Sequence, residues 1–212
     1  MGQTPKYAIA DIFRSLQGEG TWCGVPMTFL RFAGCSVTGC HIRWACDEFP
    51  WKARARLDLA EIVKHMRALC PTGIVCITGG EPTDHQLGPV VEALHAAGFR
   101  VHLETSGVRS VDGIGFDWIT VSPKVLTPEG LAQRSGGALK LVVRAEWSTA
   151  ETWEIAGELE TTTKFDRYYM QPMTIGEGAA NLDAVIAVLH EPRNADGRWA
   201  LSVQSHRTWS VK

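Results

Sequence analysis

The chain has 212 residues, 45% of them hydrophobic and 21% charged, with 21 Lys and Arg against 23 Asp and Glu for a formal net charge of -2. These values exclude a disordered chain and a broad basic face for a nucleic-acid partner, and they leave enough material for one well-buried domain spanning 1–212. The apolar runs are too short to span a bilayer, and "MGQTPKYAIADIF" lacks a secretory pattern, so a cytoplasmic, thiol-reducing setting is expected.

In chain order, "YAIADIF" and "VPMTFLRF" read as strands, with "SLQGEG", Ser15 to Gly20, following the first. Two glycines around Glu19 let backbone approach a ligand while Glu19 and Gln17 offer an acceptor and an amide; the alternative is a plain surface turn. The second strand leads into "GCSVTGCHIRWACDEF", which sets Cys35, Cys40 and Cys46 in one loop, with four and then five residues intervening. A knot of disulfides is least expected in a reducing compartment. Structural zinc normally takes four ligands, and only His41 or Cys23 stands near enough in sequence to complete the set. Three thiolates suit a 4Fe-4S cluster with one iron left open. The spacing alone leaves cluster, zinc and no metal as alternatives.

"LDLAEIVKHMRALC" follows as a helix capped by Asp58, with a stripe at Leu59, Ile62, Val63, Met66 and Leu69. "GIVCITGG" is a strand ending in "TGGEP", Thr78 to Pro82, where the glycine pair would expose backbone groups to a ligand and Glu81 would add charge. Cys70 and Cys76, at a helix end and inside this strand, read as small buried hydrophobes. "DHQLGPVVEALHAAG" is a helix stopped at Gly98. The strands "FRVHLETSG" and "FDWITVSP" end near Glu104, Ser122 and Lys124, which can bind hydroxyls or a carboxylate, or simply satisfy the strand ends. "ALKLVVR", "DRYYMQPM" and "RWALSVQSH" complete the strands, with His206 placed at the end of the last. "STAETWEIAGELE" and "NLDAVIAVLHE" complete the helices. Trp22 and Trp44 flank the two loops and would pack or cover the site.

Alternating strands and helices argue for a parallel sheet with right-handed crossovers. A complete eight-fold barrel needs about 250 residues, so a shortened, open TIM-type βα barrel is expected, with ligands at the carboxyl ends of its strands. No linker, repeat or low-complexity segment divides it.

Taken in order, "SLQGEG", "RFAGC", the cysteine triad with "CD", "TGGEP", "ETSG", "VSPK", "QPM" and "QSH" resemble the 7-carboxy-7-deazaguanine synthases of the radical S-adenosylmethionine (SAM) superfamily. The resemblance spans residues 7 to 212. It implies a partial barrel of the radical SAM type with an enlarged cluster loop at about 33–50, a homodimer, and a 4Fe-4S cluster, SAM and Mg2+ as cofactors. The implied reaction is the ring contraction of 6-carboxy-5,6,7,8-tetrahydropterin to 7-carboxy-7-deazaguanine and ammonia on the way to 7-deazapurines such as queuosine.

By position, the resemblance makes Cys35, Cys40 and Cys46 the cluster ligands. It gives SAM a wall of Ala45, Cys46 and Asp47, then Gly80, Glu81 and Glu104, then Ser122, Pro123 and Lys124. Gln171, Pro172, Met173 and Thr174 close that wall. The pterin would meet Leu16, Gln17, Gly18, Glu19, Arg31, Thr78 and His206, with Arg31 suited to its carboxylate through a bidentate fork. No catalytic side chain is assigned, because the 5'-deoxyadenosyl radical from SAM abstracts the hydrogen. The electron would come from a flavodoxin or ferredoxin.

Three positions depart from the family pattern. The superfamily's usual cysteine spacing is three and then two. Glu48 stands where a Thr usually holds Mg2+, and a carboxylate is a stronger hard-cation ligand. Lys212 stands where a terminal Pro usually presents its main-chain carboxylate to the substrate. The competing readings are a radical SAM activase of a glycyl radical enzyme, with a protein partner, and a zinc-binding interaction module built on the triad and His41.

Overall fold

The computed structural model describes residues 5–46, 52–175, 178–179 and 181–211. Its core is one nine-stranded sheet in the order β11-β8-β7-β6-β5-β4-β2-β1-β3. The strands are β1 (Tyr7–Leu16), β2 (Pro26–Phe32), β3 (Ala55–Leu57), β4 (Ile74–Gly79), β5 (Arg100–Thr105), β6 (Trp118–Val121), β7 (Ser135–Val143), β8 (Lys164–Pro172) and β11 (Trp199–Leu201). The short β9 (Thr174–Ile175) and β10 (Gly178–Ala179) pair with each other.

From β2 to β11 every neighbouring pair is parallel, as the alternation of strands and helices predicts. The first strand departs from that expectation. β1 runs antiparallel to both β2 and β3, and only the short loop 17–25 joins it to β2, closed by Gln17 N–H donating to Val25 O at 2.9 Å and Gly24 N–H to Gln17 O at 2.7 Å. A parallel pairing would need a crossover of a dozen or more residues, and none is present there.

Helices α1 (Leu59–Leu69), α2 (Gly88–Ala96), α3 (Thr149–Thr162) and α4 (Leu182–Leu189) cover the outer face. Asp58 caps α1 by accepting from Glu61 N at 2.9 Å, and Glu61 returns the bond to Asp58 N at 2.8 Å, a reciprocal cap contributing about 1 kcal/mol. Ile62 and Met66 then drive the stripe of α1 into the core. Gly98 ends α2 in the left-handed region at φ +87°, as the sequence predicts.

The two-residue period of the strands sorts side chains between faces. Leu30, Phe32, Val75, Ile77, Val101 and Leu103 pack outward with α1 and α2, while Leu139, Leu141 and Val143 pack outward in a second cluster with α3 and α4. The inner face is plugged at one level by Phe13, Met27, Phe29, Ile74 and Cys76, with Trp22 packed against this group. Above that plug, toward the carboxyl ends, the inward positions turn polar. Cys70 and Cys76 are both buried, in agreement with their reading as small hydrophobes.

Candidate active site

The loop after β2 carries Cys35, Cys40 and Cys46 across the carboxyl end of the sheet, and several parts of the chain hold it there. Glu81 N donates to Gly34 O at 3.0 Å and Gly80 N to Phe32 O at 3.3 Å. A Cβ on Gly80 would lie 2.0 Å from Gly34 O, and one on Gly79 would lie 2.4 Å from Phe32 O. The glycine pair therefore admits the cysteine loop, rather than exposing amides to a ligand as the sequence alone suggests. Asp84 accepts from Ser36 N at 2.7 Å and Ser36 Oγ at 2.6 Å, and Arg109 donates to Asp84 at 2.5 Å.

His41 pins the far side of the loop. Its main-chain N–H donates to Lys124 O at 2.9 Å, its Nδ1 lies 2.9 Å from the same oxygen, and its ring stacks on Trp147 at 5.6 Å. Burial lowers the His41 pKa, so the neutral ring is favoured. Nδ1 and Nε2 lie 2.9 and 3.3 Å from the carbonyl oxygens of Lys124 and Val142, a neutral ring donates to one of them, and His41 joins no group of three metal-ligating side chains among the described residues. Cys23 instead lies 3.5 Å from Ser205 Oγ, at the other end of the site.

The three thiols line a cavity of about 190 Å³ together with Lys124, Met173 and Thr174. Among the described residues no three His, Cys, Asp or Glu side chains close around a single point, and the thiols ring a space instead. A donor set of three thiols with no fourth protein ligand among the described residues, bordering a largely apolar cavity, fits a 4Fe-4S cluster with an open iron.

A second cavity, also about 190 Å³, lies beside the β1–β2 turn. Leu16, Gln17, Gly18, Glu19, Arg31, Thr78 and His206 all line it, and so does Glu104. The Arg31 guanidinium sits 5.0 Å above the Phe13 ring. His206 lies against Gly18, where a Cβ would come within 2.1 Å of its Nδ1. The side chain is on a short helix, α5 (Ser205–Thr208), not at the end of a strand as expected, because β11 stops at Leu201. Ser202 then turns back into the site, donating to Gln171 Oε1 at 2.9 Å and accepting from Gly20 N at 3.1 Å.

Between these two cavities lies a third space of about 210 Å³, bordered by Glu19, Glu104, Ser122, Lys124, Lys140 and Gln204. Lys140 is 4% exposed and forms ion pairs with Glu19 and, at 3.4 Å, with Glu104. Although burial acts against ionisation, the Lys140 charge and its hydrogen bond bring Glu19 down to about 2. Glu104 is moved up, chiefly by burial and then by the Glu19 charge, with Lys140 opposing. Burial also lowers Lys124 to about 8, while its ammonium donates to Ser122 O at 2.8 Å.

Other residues singled out from the sequence pack around this site or are exposed. The Glu81 carboxylate is 1% exposed and accepts from Thr83, Thr105 and Ser106, so it braces the ends of β4 and β5. Pro123 is buried. Trp22 packs on His102 and Trp118, whereas Trp44 is 59% exposed. Asp47, Glu48 and Lys212 lie outside the described residues, as does the side chain of Ala45. Sequence reasoning missed Lys140 and Gln204, and also Asn181, whose Oδ1 accepts from Met173 N at 2.9 Å. The available signal for Lys140 was a lone lysine inside the apolar run "ALKLVVR".

An open, mostly parallel sheet with a three-cysteine loop over the carboxyl ends of its parallel strands, and a polar trough beside that loop, defines an enzyme of the radical SAM class. No family model matches the chain. It is 32% identical to the 7-carboxy-7-deazaguanine synthase of Synechocystis sp., over 99% of this chain and 95% of the relative. The enzymes of that name from Caulobacter vibrioides (34%, covering 95% and 97%) and Bradyrhizobium diazoefficiens (33%, covering 97% and 99%) are similar. The crystal structure of QueE from Escherichia coli superposes with a TM-score of 0.71 at 26% identity, covering 95% of each chain. The chain belongs to the 7-carboxy-7-deazaguanine synthase family.

Proposed function

We propose that this protein carries out its family's reaction, the radical ring contraction of 6-carboxy-5,6,7,8-tetrahydropterin to 7-carboxy-7-deazaguanine and ammonia. Family membership over nearly the whole chain supports the activity. The observation that carries the site reading is that every described residue expected to touch the pterin lines one cavity, and that Glu19 and Glu104 border both it and the space leading to the three thiols.

In this reading Cys35, Cys40 and Cys46 hold the 4Fe-4S cluster, and Lys124, Ser122, Glu104 and the Gln171–Thr174 segment bind SAM. When bound, cluster and cofactor supply the radical that abstracts hydrogen from the substrate. The protein's part is to orient and shield. Arg31, its guanidinium carbon over the Phe13 ring, offers the pterin carboxylate a planar fork. Glu19, kept ionised by Lys140, accepts from pterin N–H groups, and His206 closes the cavity from α5. Lys124, half-buried at the cavity wall, would meet the cofactor's carboxylate with its ammonium.

The same reading includes Mg2+ at Glu48, the main-chain carboxylate of Lys212 reaching the substrate, a homodimer of single-domain chains, a cytoplasmic location, and a flavodoxin or ferredoxin as electron donor. Among the described residues no helix is long and apolar enough to cross a membrane. The commitment of His41 to carbonyls disfavours the zinc module, and the near-complete match to synthases disfavours an activase. Anaerobic reconstitution tests the reading: a brown protein with about four irons per chain that turns the pterin over is expected. A colourless protein holding zinc would contradict it.

A further inference from the structure

Lys140 touches neither ligand in the family reading above, where it only keeps Glu19 ionised, yet it is buried in the middle of the site. It stands in the middle of β7 between inward-facing Ala138 and Val142, where an apolar side chain would fit the surrounding burial pattern. Burying an ammonium carries a large desolvation penalty, which its charged partners must offset. Its two partners come from different parts of the chain and both stand at the boundary shared by the pterin cavity and the space leading to the thiols. Glu19 belongs to the β1–β2 turn and Glu104 to the end of β5.

The amides around the lysine close a ring. Gln17 Nε2 donates to Glu104 Oε1 at 3.3 Å, while Glu19 N donates back to Gln17 Oε1 at 3.2 Å. Gln204 Nε2 donates to Glu19 Oε1 at 2.8 Å. Moving either carboxylate therefore moves the lysine and, through it, the other carboxylate.

We propose that Lys140 is a positioning residue serving both ligand sites at once: it fixes Glu19 for the pterin and Glu104 for the SAM ribose, and so sets the placement of one ligand relative to the other. This rests on the assignment of those two sites in the proposed function. The charges agree with the geometry. One ammonium between two carboxylates keeps Glu19 an acceptor and opposes the rise that burial imposes on Glu104. Without it, Glu104 would take up a proton more readily and cease to be a pure acceptor for a ribose hydroxyl.

The test measures equilibrium binding of SAM and of 6-carboxy-5,6,7,8-tetrahydropterin to cluster-loaded protein without reductant, so that neither ligand turns over. Lys140→Gln is expected to weaken each ligand by roughly tenfold or more. SAM affinity should partly recover as pH rises and Glu104 ionises, and Lys140→Arg should recover much of both losses. A merely structural lysine would lower the unfolding temperature and leave both dissociation constants of the folded protein unchanged and free of new pH dependence. That result, or loss of one ligand only, overturns the proposal. If Lys140→Gln does not fold, two charge-balanced doubles carry the test: Glu19→Gln with Lys140→Gln read by SAM, and Glu104→Gln with Lys140→Gln read by the pterin. Wild-type affinity in both overturns the proposal equally. Failure of the wild-type protein to bind either ligand would instead refute the proposed function.

Discussion

Gly80 and Gly34 stand so close that a Cβ on the first would lie 2.0 Å from the carbonyl oxygen of the second. That oxygen also accepts from Glu81 N, so the cysteine loop is fastened to the end of β4 at the point where a side chain would displace it. Gly80→Ala should therefore shift Cys35 and lower bound iron to less than half of wild type after identical reconstitution, while the far-UV spectrum stays native. Iron analysis against protein concentration reads this, and unchanged loading would show that the loop yields easily.

Cys40 lines the thiol cavity but takes no part in the outer core. Cys40→Ala should abolish stable cluster binding and turnover together, with unfolding in denaturant displaced by less than about 1 kcal/mol, as for a substitution outside a packed core. Residual turnover would refute its place as a ligand.

Arg109 reaches from the loop after β5 to Asp84 and, at 3.0 Å, to Ser36 Oγ beside Cys35. The pair is partly exposed, so its contribution to global stability should be at most about 1 kcal/mol. Its local effect should be larger. Arg109→Ala is expected to speed modification of Cys35 by a disulfide reagent in the cluster-free protein several-fold. Mass spectrometry of peptide adducts over time would measure it.

His102 is 3% exposed and lies against the Trp22 ring at 4.8 Å, and burial, followed by the nearby Arg100 charge, lowers it to about 4. Between pH 6.5 and about 4 the unfolded chain takes up a proton here that the folded chain does not. The stabilising contribution is thus present above pH 6.5 and declines as pH falls through that window, by no more than about 1.4 kcal/mol per pH unit. His102→Gln should flatten the pH dependence of the unfolding free energy over that range. An identical slope would contradict it.

Much of this architecture was legible in the sequence because two periodicities are clean. The stripe of Ile62 and Met66 and the inward positions of Thr78 and Glu104 follow from spacing alone, so the strands, the helices and the polar carboxyl ends could be read directly. Direction could not. The alternation in β1 is the same whether it runs parallel or antiparallel to β2, and the short turn through Gln17 and Val25 decides the matter. Long-range pairing was equally hidden. Nothing beside Lys140 in sequence announces Glu19 or Glu104, and the Gly79–Gly80 pair looks like a ligand-facing turn until the loop from Gly34 is seen lying on it. His206 left its expected strand because Ser202 hydrogen-bonds to Gln171 and Gly20, contacts between segments far apart in the chain.

Turnover tests the account most directly. The anaerobically reconstituted protein, given SAM, a reductant, Mg2+ and 6-carboxy-5,6,7,8-tetrahydropterin, is expected to yield 7-carboxy-7-deazaguanine, identified by mass, with none formed by Cys40→Ala. A wild-type protein with its cluster intact and SAM bound that left the pterin unchanged would contradict the reading of these cavities as one active site.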